Sequence, residues 1–184
     1  MEPLYILLIV VAALVLYGIA AYNRLVGKRN MVENAWHNID TLLQKRYDLV
    51  PNLVNTVQGY VKHEKEVLEN VTRARSAWMH ASTVKENAEA ENILGGALKT
   101  LFAVAENYPE LKANQNFLLL QEELSAIESK IAYSRQRYNR SVMVYNTAIQ
   151  KFPTSILAGI FKFTGRDYFA VEEEAARKAV KVEF

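Results

Sequence analysis

Residues 117–152 read FLLLQEELSAIESKIAYSRQRYNRSVMVYNTAIQKF. Within them Phe117, Leu120, Leu124, Ile127, Ile131, Ser134, Tyr138, Ser141, Tyr145, Ala148 and Phe152 follow one another at alternating spacings of three and four. Sustained over five heptads, that spacing is the a/d seam of a coiled-coil-type helix, because it keeps one line of side chains facing a partner. Asn114 or Asn116 can cap the start and Pro153 ends it, giving a helix of about 60 Å at roughly 1.5 Å per residue. Small Ser134, Ser141 and Ala148 alternate with large Tyr138, Tyr145 and Phe152, which predicts interdigitation with a facing helix.

The upstream sequence predicts the helices that face it. Thr83-Val84-Lys85-Glu86 fits a capping box and opens a helix whose stripe is Leu94, Ala97, Leu101, Ala105 and Tyr108, before Pro109 ends it. Gly95-Gly96 inside this helix costs about 1 kcal/mol per glycine relative to alanine, and close approach of a neighbouring backbone is the simplest reason for the pair. Further back, Val50, Val57, Glu64, Val71 and Trp78 are seven apart, with opposite charges at Lys62–Glu66, Lys65–Glu69 and Glu69–Arg73 on the outer face. Val32, Ala35, Trp36, Ile39, Leu42, Leu43 and Val50 form a helical stripe before that. Pro51 interrupts the run. Inside a helix it deletes a hydrogen bond and clashes with the carbonyl of Tyr47, at roughly 3 kcal/mol. The cost disappears if Asp48 is an N-cap and Pro51 lies in the first turn of a new helix. The sequence therefore predicts a break or sharp kink at Tyr47–Pro51 and leaves open whether the chain reverses there.

The N-terminus has a different character. Leu4–Tyr22 is a run of 19 residues without a charge, about 28 Å of helix and so one hydrocarbon core. Tyr5 and Tyr22 lie near its ends, where amphipathic rings favour the headgroup level. A cleaved signal peptide is the alternative, but only Glu2 and the amino group precede the run, so the basic leading region is missing. Arg24, Lys28 and Arg29 follow the run. By the positive-inside rule they put the N-terminus outside and the remainder in the cytoplasm, where each cation gains roughly 1 kcal/mol beside anionic lipid. At the other end, residues 155–163 (SILAGIFKF) are apolar, and Thr164-Gly165-Arg166-Asp167 reads as a turn. The apolar part is expected to fold back on the bundle, with an interfacial membrane contact as the alternative. Glu172, Glu173 and Glu174 begin a short polar helix that Arg177 and Lys178 can finish. The chain thus divides into an anchor over 1–23, a bundle over 24–153 and a tail over 154–184.

Composition closes off many functions. The 184 residues contain no cysteine, which excludes thiol catalysis, disulfides and Cys-ligated metals. With 22 basic and 20 acidic residues the charge is +2, too balanced to imply nucleic acid. His63-Glu64 starts a zinc-protease pattern, but Val67 occupies the position of the second histidine. No phosphate loop or nucleophile elbow is present, and the carboxylates read as a solvated helix surface. Arg135, Arg137 and Arg140 with Tyr133 and Tyr138 are too short a basic patch for a nucleic-acid site.

Several motifs together resemble the LemA family of bacterial proteins. They are Asn23-Arg24-Leu25-Val26, Tyr47-Asp48-Leu49-Val50-Pro51-Asn52-Leu53-Val54 and Gly59-Tyr60-Val61-Lys62-His63-Glu64. Further along are Tyr108-Pro109-Glu110-Leu111-Lys112-Ala113-Asn114, Phe117-Leu118-Leu119-Leu120-Gln121-Glu122-Glu123-Leu124, Tyr138-Asn139, Tyr145-Asn146 and Phe152-Pro153. The tail departs from the pattern in lacking a proline before its final Val182-Glu183-Phe184. The resemblance implies a single-span protein with an elongated, antiparallel up-and-down bundle of three to four long helices. It implies no enzymatic activity and no cofactor, a place in the inner membrane, and association with the cell envelope.

The residues of these motifs also have physical readings. Tyr47, Asp48, Pro51 and Asn52 fix a helix junction. Tyr60 and Tyr138 are core rings, with Tyr145 on the same seam. Asn139 and Asn146 sit just off the seam and can set register by bonding across helices. Gly59 permits close packing. Glu64 falls on a seam position, where it needs a partner such as His63 or an arginine of the last helix, or else lies at an open edge. The expected function is that of a membrane-anchored scaffold contacting the bilayer and an unidentified protein, with an accessory role to a membrane protease as the alternative. Heptads permit a homo-oligomer but are equally satisfied within one chain.

Overall fold

The computed structural model describes residues 2–61 and 64–170. Among them lie α1 (Glu2–Gln58), α2 (Lys65–Met79), α3 (Val84–Ala105), α4 (Pro109–Lys112), α5 (Gln115–Gln150) and α6 (Thr154–Ile160), with no strand. The fold is all-α. The short polar helix expected from Glu172–Glu174 to Arg177 and Lys178, the Lys62–Glu66 pair and the expectations for His63 lie outside the described residues.

The expected break at Pro51 does not occur. Pro51 lies inside α1, which runs unbroken for 57 residues from the apolar segment to Gln58, so Asp48 is a mid-helix residue and not a cap. One contact offsets part of the cost. Proline removes one donor, and the carbonyl it orphans, that of Tyr47, accepts a bond of 3.2 Å from Arg75 Nε on α2. The chain turns after Gln58 instead, where the Tyr60 and Val61 amides both donate to the Val57 carbonyl at 2.9 and 3.1 Å. The heptad read from Val50 to Trp78 is therefore two stripes on two helices, and Glu64 is the residue preceding α2. A Cβ on Gly59 would meet only the Thr56 carbonyl at 3.9 Å, so close packing is not its role.

The chain forms two compact units, Met1–Asp40 with Tyr133–Tyr168, and Thr41–Ala132 with Phe169–Phe184. In the second unit the buried apolar residues include Leu43, Tyr47, Val50, Leu53 and Val57 of α1, Leu68, Val71 and Ala74 of α2, Leu94, Leu98, Leu101 and Ala105 of α3, and Phe117, Leu124, Ile127 and Ile131 of α5. Each is the inward position of a 3.6-residue period, so four helical stripes close one apolar core. The capping box forms as read: the Thr83 hydroxyl accepts from the Glu86 amide at 3.1 Å, and the Glu86 carboxylate accepts from the Thr83 amide at 2.9 Å. Backbone donors from Ser82 and Thr83 hold the Glu86 carboxyl down at about 2. Asn114 caps α5 by accepting from the Phe117 amide at 3.0 Å. A Cβ on Gly95 or Gly96 would meet nothing within 4 Å, so no neighbouring backbone approaches there. Gly96 instead opens a groove between α2 and α3.

In the first unit, α1 and α5 run antiparallel: Trp36 packs its ring 5.6 Å from that of Tyr138, while Tyr145, one heptad on, senses the charges of Arg29 and Glu33. Val32, Ile39, Tyr138, Val142 and Tyr145 are buried here. The seam ends sooner than its spacing predicts. α5 stops at Gln150, the Phe152–Pro153 peptide is cis, and Phe152 is 83% exposed. Ser134 and Ser141 do not receive bulky side chains between them; with Met31, Asn34, Ala35, Asn38 and Arg137 they line a shallow groove. The apolar stretch of α1 before Ala21 is exposed and is long and apolar enough to cross a membrane.

Candidate functional site

Four motif residues, Tyr47, Tyr138, Tyr145 and Asn146, lie at two polar nodes, one in each unit. The node of the second unit is built on α1. Its stripe of Ile39, Leu43, Val50, Leu53 and Val57 carries Arg46 and Tyr47 among apolar neighbours, and the α3 stripe carries Glu91 before Leu94. Arg46 Nη1 donates to Glu91 Oε1, and Nη2 reaches Glu128 of α5 at 3.5 Å. Arg46 is 3% and Glu91 6% exposed, whereas the Glu128 side chain is 66% exposed. The pair is thus a desolvated ion pair with a solvated third member. Beside it the Tyr47 ring stacks on Trp78 at 4.3 Å and 10°, and Arg75 supplies the Tyr47 carbonyl. Burial, reinforced by the charge of Glu91 and opposed by Arg46, pushes the Tyr47 phenol far above its ordinary range, so the ring stays neutral.

Other motif residues surround this node without joining it. Asp48 is exposed and accepts from Gln44 Nε2 at 2.9 Å. Asn52 is exposed, and its carbonyl accepts from Thr56. Tyr60 is not a core ring. It is 36% exposed and its hydroxyl accepts from Asn114 Nδ2 at 2.8 Å, so the turn after α1 is tied to the cap of α5. Glu64 is half-buried at the start of α2.

The node of the first unit holds the segment after α6. The Tyr138 hydroxyl donates to the Asp167 carbonyl at 2.8 Å, and the Tyr145 hydroxyl to the Thr164 carbonyl at 2.9 Å. Asn146 grips the Arg166 backbone twice, donating to its carbonyl and accepting from its amide, both at 2.9 Å. Arg166 Nη2 then reaches Glu33 of α1 at 3.0 Å. Asn146 therefore fixes an extended strap, where register between helices was expected, and Asn139 is half-buried alongside. Burial, with Asp167 raising and Arg166 lowering, pushes the Tyr138 phenol up to about 12. The Tyr145 phenol is raised chiefly by burial. Both phenols therefore keep the proton that the carbonyl bonds require. Of the basic residues after the span, Arg24 is exposed, Lys28 is half-buried, and Arg29 lies 5.5 Å over the Phe163 ring.

Sequence reasoning missed Arg46, Glu91, Arg75 and the strap carbonyls. For the first two a signal existed, a charge on each of two otherwise apolar stripes. A backbone carbonyl as partner has none. Chemically the nodes fix conformation through an ion pair, a ring stack and bonds to backbone carbonyls. Among the described residues the buried Tyr47 hydroxyl and Arg46 Nε have no hydrogen-bond partner, and no cluster of three His, Asp or Glu is placed to hold a metal ion.

The LemA family profile matches residues 35–184. Protein LemA of Metamycoplasma hominis is 28% identical over 74% of this chain and 63% of its own length. Magnetosome protein MamQ of Magnetospirillum gryphiswaldense is 24% identical over 80% and 64%. Magnetosome protein MamQ 1 of Paramagnetospirillum magneticum is 23% identical over 91% and 72%. The chain spans a little under two thirds of the first two relatives. None of these names denotes an enzyme, and the apolar α1 fits a membrane protein. The chain belongs to the LemA family.

Proposed function

We propose that the protein is a non-enzymatic scaffold, anchored by α1 in the bacterial inner membrane with its N-terminus outside and the rest in the cytoplasm, which presents helical surface to a protein partner. One observation carries this reading: the motif residues Tyr47, Tyr138, Tyr145 and Asn146 are engaged in holding backbone and rings in place. They maintain a shape. The cations Arg24, Lys28 and Arg29 after the apolar run support the orientation.

Photo-crosslinking side chains at Met79, Ile93 and Leu119, all exposed apolar positions of the second unit, test the reading in intact cells. Diverse adducts or adducts with a second copy support the scaffold. A single dominant membrane-protease adduct replaces it with the accessory role, and no adduct at any position overturns both. Topology is tested separately. The chain has no cysteine, so single cysteines at Glu2 and Phe184 are probed with an impermeant thiol reagent. Labelling only at position 2 supports the cytoplasmic placement, and labelling only at 184 reverses it.

A further inference from the structure

α6 is built the wrong way round for a helix facing water. Its buried residue is the small Ala158, while Ile156 and Ile160, one turn apart on the opposite face, are 56% and 66% exposed. Phe161, which caps α6 and lies nearer the Ala158 side, is still 53% exposed. A short helix at an aqueous surface would place its apolar bulk inward, and contiguous exposed apolar side chains mark an interaction surface.

The position of this face identifies what covers it. Tyr22, the last residue of the apolar run of α1, lies 4.7 Å from the Phe161 ring and 5.7 Å from the Phe163 ring. If α1 crosses a bilayer, Tyr22 is at the headgroup level, and the Phe161 end of α6 is at the same level. Charge agrees. Between Glu2 and Glu33, and again between Glu128 and Asp167, the chain carries no carboxylate, whereas Lys151 and Lys162 bracket α6 in sequence and Arg24 follows Tyr22 by two residues. Lys162 itself is in the left-handed region at φ 54°, a helix-ending position that favours glycine. The turn is closed by Lys162 N–H to the Gly159 carbonyl at 3.3 Å and Phe163 N–H to the Ala158 carbonyl at 2.9 Å. A cation thus stands in a backbone conformation that disfavours any side chain, at the rim of an apolar face. That is the composition of a segment lying in a membrane interface.

We propose that α6 and the turn after it form a second membrane contact, an apolar foot seated in the headgroup layer of the leaflet from which α1 emerges. The inference rests on α1 spanning the membrane, and its test separates the two. The full chain, with a single cysteine carrying an environment-sensitive fluorophore at Leu14, Ile156, Ile160 or Ile93, is reconstituted in phosphatidylcholine–phosphatidylglycerol vesicles containing nitroxide-labelled lipid. Circular dichroism confirms unchanged helicity of each labelled protein. The expected result is quenching of 156 and 160 by a shallow nitroxide at least twofold greater than that of 93, with 14 quenched by a deep one. Quenching of 14 with 160 matching 93 overturns the foot and leaves the span. No quenching at 14 overturns the span and the placement of α6 with it. A blue shift at 160 without lipid quenching, lost as the protein is diluted in lipid, overturns the foot in favour of a face between copies.

Discussion

Removing Arg46 tests whether the buried node stabilises the fold as a pair or as a single charge. Arg46 is 3% and Glu91 6% exposed. Arg46→Met leaves a desolvated carboxylate without this cation, and Glu91→Leu leaves a guanidinium whose remaining carboxylate neighbour, Glu128 at 3.5 Å, is mostly in water. Deleting one member of a buried pair costs about 3–5 kcal/mol, whereas exchanging both for apolar residues of similar volume is near neutral. The single variants should therefore each lose about 4 kcal/mol, and the double variant should recover most of it. The readout is urea unfolding of the full chain in detergent, followed by the fluorescence of Trp78, which stacks on Tyr47 beside the pair. A Trp36→Phe background makes Trp78 the sole tryptophan. With a slope of about 2 kcal/mol per molar, each single variant shifts the midpoint by about 2 M. Two results refute the reasoning: single variants within about 0.5 kcal/mol of the parent, or a double variant that costs the sum of the singles.

Three further outcomes are expected. The Tyr138 phenol is raised from 10.0 to about 12 in the fold, so its contribution is complete below pH 10 and is lost as pH rises towards 12; Tyr138→Phe, followed by Trp36 fluorescence, should remove part of that alkaline loss and cost about 1 kcal/mol at neutral pH. Arg75→Met should cost about 1–3 kcal/mol by orphaning the Tyr47 carbonyl and distinctly less in a Pro51→Ala background, where the new amide takes its place; equal costs in a denaturation cycle would refute the pairing. Thr83→Ala should lower stability by about 1 kcal/mol in a urea titration. In the parent, Glu86 should lose its contribution as pH falls from 4.5 towards 2.

The parts of the fold legible in the sequence are those fixed by local chemistry. The α5 seam from Phe117 to Tyr145, the Thr83–Glu86 box and the Asn114 cap all depend on residues within a few positions of one another. The failures share a different cause. Pro51 carries a local penalty, and what offsets it is Arg75, 28 residues from the Tyr47 carbonyl that it supplies. The reversal after Gln58 was hidden because Val57 and Val71 keep heptad spacing across a turn. Phe152 lost its seam position because α5 ends before reaching it. At the strap, Tyr138, Tyr145 and Asn146 were recognisable as unusual, but their partners are peptide groups of residues 164–167, and every residue has those.

The unbroken course of α1 has a consequence for its anchor. No hinge or cap separates the apolar run ending at Tyr22 from the buried Val32 and Ile39, so the two are locked in rotational phase. Each residue inserted between Tyr22 and Val32 would swing the run by about 100° relative to the packed stripe, and four would restore it to within about 40°. The direction in which Tyr22 points towards Phe161 is therefore set by the number of intervening residues as much as by their identity.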